Sequence, residues 1–144
     1  MTIDKSGKWW KGSSFEDIIE FITLYMADSY PVKQVVQSIC DCGNTTFTLK
    51  VDQEEGCAQR TCTVCNKSTF IGDSDEIWKD AHPKKVGCPC KHNIFEVGVG
   101  FSLRDHENIH WLTIGHRCTN CGILASSADW EINYGPSIHL VELA

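Results

Sequence analysis

The sequence predicts an α+β fold in which one N-terminal helix packs on two copies of a β-hairpin unit. Three observations carry that reading. Apolar residues recur at helical intervals between Ser13 and Ala27. They alternate, as in half-buried strands, at Phe47, Leu49 and Val51 and again at Phe95, Val97, Val99 and Phe101. Each alternating stretch is bracketed by cysteine pairs, a Cys-x-Cys before it and a Cys-x-x-Cys after its return arm.

Taken in chain order, Ser13 and Glu16 have the spacing of a capping box, and Phe15, Ile18, Ile19, Ile22 and Met26 follow on one helical face. Phe21, Leu24 and Tyr25 widen that face, which predicts a packed helix. Tyr30-Pro31 ends it, because the residue before a proline is pushed out of the helical region. Val32 to Ile39 is β-branched and predicts a strand leading into the first cysteine pair. The run "DQEEG" turns the first hairpin, and "RDHEN" turns the second before "IHWLTIGHRC" returns. Between them "GDSDEIWKDAHPKK" reads as a short capped helix and a linker. The tail "DWEINYGPSIHLVELA" predicts one or two strands around a Gly-Pro turn. The division is 1–37 for the helix and lead-in strand, 38–83 for the first hairpin unit and 84–144 for the second, expected to form one compact body.

Among 144 residues there are nine cysteines. "MTIDKSGKWWKG" lacks the apolar run of a secretory signal, and no membrane-spanning run follows, so a cytoplasmic protein is expected. There, clustered cysteines bind metal more often than they form disulfides, and the odd count agrees. The first set is Cys40, Cys42, Cys62 and Cys65, with nineteen residues between its pairs. The second is Cys88, Cys90, Cys118 and Cys121, with twenty-seven. "RTCTVCN" echoes "HRCTNCG", so the pattern reads as an internal duplication. A tetrahedral zinc ion needs four soft donors, and two close cysteines on a tight turn supply two of them. Two zinc ions are therefore expected, one per set. Four thiolates also suit iron, and the pairs can in principle close between copies as well as within them. Gly43 and Gly122 follow their pairs where a permissive backbone helps, and Asn66 holds the matching place after Cys65.

This arrangement resembles the zinc-ribbon family over Cys40 to Cys121, with Cys-x-Cys standing where the family's usual first turn is Cys-x-x-Cys. The resemblance implies structural metal sites. The phrases "GDSDEIWKDA", "FEVGVGFSL" and "ADWEINYGPS" are also similar to those of small bacterial proteins with paired cysteine motifs. Immunity proteins that neutralise secreted toxins share this size and acidity.

The formal charge is −6, and each filled four-thiolate site adds −2, which takes the holoprotein to −10. An anionic body is a poor nonspecific ligand for phosphate backbones and suits a basic protein partner. Acids gather at 52–56, 72–76 and 104–108. The expectation is a noncatalytic protein-interaction module, with neutralisation of a basic toxin as its most concrete form. A nucleic-acid-associated factor is the alternative, since Lys8 and Lys11 flank Trp9 and Trp10, and Lys79, Lys84, Lys85 and Lys91 follow later. An enzyme using Cys57 with His106, His110 or His116 as base comes third. His116, two residues before Cys118, is also placed to support or replace a metal ligand.

Overall fold

The computed structural model describes residues 3–144. Helix α1 (Phe15–Tyr25) begins one residue later than the Ser13–Glu16 spacing predicts. Ser14 is its N-cap, and the buried Asp17 carboxylate accepts from the backbone N–H groups of Ser13 at 2.7 Å and Ser14 at 3.3 Å. Asp17 lies against Gly12, where a β-carbon would come within 2.6 Å of its own, while Glu16 points to solvent. The inward acid therefore takes the capping role.

Eight strands follow in one antiparallel sheet: β1 (Gln34–Gln37), β2 (Thr46–Asp52), β3 (Cys57–Cys62), β4 (Ser68–Phe70), β5 (Lys84–Lys85), β6 (Phe95–Leu103), β7 (Ile109–Cys118) and β8 (Leu124–Glu131). The principal order is β4-β3-β2-β6-β7-β8. The hairpins β2–β3 and β6–β7 are the two that the alternation predicts. Strand β6 joins them. Along one edge it pairs with β7, and along the other it takes β2 at Phe95 and Glu96 and β1 from Gly98 to Phe101.

Between the hairpins, α2 (Ser74–Ile77) and a 3₁₀ turn at Trp78–Asp80 occupy the predicted connector. The tail differs from expectation. Only its first residues belong to a strand, the end of β8, and Ile138–Leu143 is a 3₁₀ helix. Ile138 and Leu140 pack on the core, and the Ser137 hydroxyl accepts from the Ile109 N–H at 2.8 Å. Burial of those side chains and this bond fix the tail without a further strand. Among the described residues no helix is long and apolar enough to cross a membrane.

The sheet has two differently packed faces. On one, Gly98 and Gly115 pair directly, with Gly100 beyond them. Ile18 and Ile22 of α1, both fully buried, sit on this glycine bed. A β-carbon at Gly115 would lie 2.5 Å from Ile22, so only glycine lets the helix approach so closely. The "GVG" of β6 is thus a helix seat. Leu24 and Tyr25 remain 43% and 55% exposed, so the helix's apolar face is wider than its packed one. On the other face Phe47, Leu49, Phe95, Val97, Val99, Phe101, Leu112 and Ile114 form the main core, closed by Trp130, Ile132 and the tail.

Candidate metal centres

All four cysteine turns are built alike. In the first, Cys40 N–H donates to the Asn44 carbonyl and Gly43 N–H to the Cys40 carbonyl. Cys88 with His92 and Lys91 repeats this, as do Cys62 with Lys67 and Asn66, and Cys118 with Ile123 and Gly122. The residue after each pair has positive φ: Gly43 at 92°, Asn66 at 63°, Lys91 at 74° and Gly122 at 81°. The sequence marks three of these positions with residues that tolerate that conformation. Lys91 carries no such mark, and only its place after Cys90, matching that of Gly43 after Cys42, points to it.

These turns bring the predicted ligands together. The Sγ atoms of Cys40, Cys42, Cys62 and Cys65 lie within 4.8 Å of one another, and so do those of Cys88, Cys90, Cys118 and Cys121. The pairing is therefore within each set. Contacts are 3.5 Å for Cys40–Cys65, 3.6 Å for Cys42–Cys62, 3.4 Å for Cys88–Cys121 and 3.6 Å for Cys90–Cys118. A disulfide needs about 2.05 Å. A tetrahedral zinc with bonds of about 2.3 Å sets its sulfurs about 3.8 Å apart, close to what is found. Geometry and donor chemistry together are consistent with two zinc ions.

Without a cation, four thiols cannot ionise side by side. Desolvation opposes ionisation of Cys62, but N–H donors from Cys65, Asn44 and Val64 outweigh it and hold this thiol down at about 6. The Asn44 side-chain amide reaches its sulfur at 3.2 Å. At Cys42 the Asn44 backbone N–H favours the thiolate, yet desolvation and the neighbouring thiols push it up to about 12. In the second site the His92 N–H and the Asn120 amide hold Cys90 at about 6, while burial pushes Cys88 up to about 12. A divalent ion resolves this conflict by taking all four sulfurs as thiolates.

The two centres share one row of the sheet. Cys62 pairs with Phe47, Phe47 with Phe95, and Phe95 with Cys118. Two residues before each of these cysteines stands a buried basic side chain on a ring, Arg60 with its guanidinium 4.8 Å from the Phe47 ring centre and His116 at 4.6 Å from Phe95. Arg60 also feels the Cys40 and Cys62 charges and donates Nε–H to the Ala144 carbonyl at 3.0 Å. Sequence reasoning missed it, since an arginine in an alternating strand reads as solvent-facing; its spacing from Cys62 matches that of His116 from Cys118. Among the described residues His116 does not join a metal group, its buried ring nitrogens have no partner, and burial lowers its pKa to about 4.

Cys57 stands apart from both centres, fully buried in β3, and burial followed by Asp52 and Glu55 pushes its thiol up to about 11. His110 lies edge-on to Tyr30 and 3.8 Å from Glu131, and His106 is in the exposed β6–β7 turn. In the N-terminal arm Trp10 packs edge-on against Phe21 at 6.3 Å, and its carbonyl accepts from the Leu124 N–H at 2.8 Å. Trp9 is 44% exposed, with the Lys8 ammonium over its ring. Comparison of the chain with protein-family models, curated proteins and solved structures finds no match.

Proposed function

We propose that this chain is a noncatalytic zinc protein, a duplicated pair of zinc ribbons whose filled sites stiffen a framework for binding another protein. The carrying observation is the composition of the centres. Each is closed by four sulfurs, which leaves no open position where a metal could activate water or polarise a substrate. The matching turns, the Phe47–Phe95 pairing and the Arg60–His116 correspondence support descent of both halves from one unit. A buried thiol pushed up to about 11 is a poor nucleophile at neutral pH, which argues against a Cys57 enzyme.

The partner that suits the surface is a basic protein. Glu54 and Glu55 project from one hairpin tip and Glu107 from the other. At the same tips backbone and side-chain donors hold Asp52 and Asp105 below the usual carboxylate range. Charge presented on stiff hairpins accelerates capture of a partner of opposite sign. Neutralisation of a basic toxin in the cytoplasm is the most concrete form of this reading.

The test is tagged capture from native lysate with and without nuclease, followed by titration of the purified pair. A stoichiometric, nuclease-resistant complex is expected, weakened when Glu54→Gln, Glu55→Gln and Glu107→Gln are combined. The exposed Trp9 with Lys8 above it favours one second reading, single-stranded nucleic-acid binding. Loss of every partner on nuclease treatment, together with salt-sensitive oligonucleotide binding abolished by Lys8→Ala and Trp9→Ala, would replace the first reading with this one.

A further inference from the structure

The helix packs on β1, β6, β7 and β8, and on the same face of the first hairpin the Trp78 ring meets Phe70 at 5.3 Å. There the register builds a row of four side chains, Phe70 of β4, Gln59 of β3, Lys50 of β2 and Lys85 of β5. Lys50 and Lys85 are direct cross-strand partners, so two ammonium-bearing stems leave the sheet side by side. Like charges placed opposite one another destabilise a strand pair. Among the described residues neither ammonium has an ion-pair or hydrogen-bond partner. Asp52, the carboxylate two residues from Lys50, is already committed to the backbone N–H groups of Glu54, Glu55 and His82.

Both lysines border a cleft of about 90 Å³ that is also lined by Thr48, Thr61 and Asn93. Thr61 exchanges a hydrogen bond with Ser68, whereas the Thr48 hydroxyl and the Asn93 amide have no partner among the described residues. Four donor groups, two of them cationic, therefore line this cleft without a hydrogen-bond partner among the described residues, and no carboxylate is among its lining residues. We propose that this cleft is an oxyanion site that takes a single phosphate group, with Lys50 and Lys85 as its charged arms and Thr48 and Asn93 as neutral donors. Isolated within an acidic molecule, it suits a compact phosphate rather than a long polyanion. It is separate from the acidic hairpin tips and does not depend on the protein partner proposed above.

The experiment uses the zinc-loaded full chain. Inorganic phosphate is titrated by isothermal calorimetry and by backbone NMR, and single-stranded oligothymidylate is titrated in parallel at matched phosphate concentration. Saturable binding is expected, with shifts confined to residues 48–50, 59–61, 85–86 and 93. Lys50→Ala and Lys85→Ala should each weaken it about tenfold or more, the loss expected of one charge-assisted hydrogen bond. The tighter of the two probes identifies the source of the phosphate. A second measurement separates binding from structural damage: Lys85→Glu should raise the melting temperature in phosphate-free buffer, by relieving the repulsion, and abolish the rise that phosphate produces in wild type. Absence of saturable binding by either probe, or binding unchanged by both alanine variants, would overturn the proposal.

Discussion

Lys91 shows how a single backbone angle reports on a metal turn. Its φ of 74° lies in the region where a side chain crowds the backbone, and its three counterparts are glycine or asparagine. The conformation is imposed by the N–H that Lys91 donates to the Cys88 carbonyl at 2.8 Å, which folds the loop back over the sulfurs. Lys91→Gly is therefore expected to stabilise the metal-loaded protein by about 1 kcal/mol, measured by denaturant unfolding. A lower midpoint in the variant would mean that the lysine side chain contributes more than its backbone costs. Cys57 gives a second prediction at this scale, with a definite sign. A thiol pushed up to about 11 stays protonated in the folded state while its unfolded counterpart ionises near 9. Its contribution is complete below about pH 9 and is lost as the pH rises toward 11. Over that window wild type should lose on the order of 2 kcal/mol more than Cys57→Ala, and parallel stability curves would sink the assignment.

The helix and its seat depend on glycines that no periodicity analysis rewards. A β-carbon at Gly115 would meet Ile22 at 2.5 and 2.6 Å, and one at Gly100 would meet Ile22 at 2.7 Å. Gly115→Ala should cost about 1–3 kcal/mol, because the helix must lift from the sheet or Ile22 must leave its rotamer. Gly87→Ala, where nothing lies within 4 Å, is the control and should be nearly silent in the same thermal melts. These elements also show what the sequence could and could not reveal. Alternation at Phe47 to Val51 and at Phe95 to Phe101, with the cysteine spacing, was sufficient for two hairpins and both four-cysteine groups, because period and turn geometry are local. Only the "DWE" end of β8 fell within a predicted strand; "LASSA" did not, because its small residues have little strand preference and pairing with β7 imposes the conformation. The capping role moved from Glu16 to Asp17 because Gly12, five residues earlier and without a side chain, makes room for the inward acid, a packing effect that capping-box spacing alone does not encode. Nor could spacing show that β2 and β6 join edge to edge, which is a property of the assembled sheet.

That junction decides how the whole molecule responds to metal. Phe47 and Phe95 hold the same place, seven residues after the first cysteine of each set, and they pair with each other where the hairpins meet. The row Cys62–Phe47–Phe95–Cys118 thus joins the centres through four side chains that are at most 1% exposed. Filling one centre fixes its turn, and the turn fixes the start of the strand that carries its phenylalanine. The other centre then forms against a partner strand already in place, so part of the ordering cost has been met. Structural zinc contributes roughly 10–16 kcal/mol of apparent binding energy, enough that a small fraction transmitted through this row is measurable. Cys90→Ser should therefore lower zinc content from two equivalents to one and also weaken the intact first centre, by about 5- to 150-fold in chelator competition. Coupling of this kind is reciprocal, so Cys65→Ser must weaken the second centre by the same factor. Two single-site variants that each keep wild-type affinity at the remaining centre would show that the halves fold independently despite sharing a sheet. Unequal factors would point instead to damage in one variant, and Phe47→Leu, which loosens the row without touching a ligand, should then reduce both affinities together.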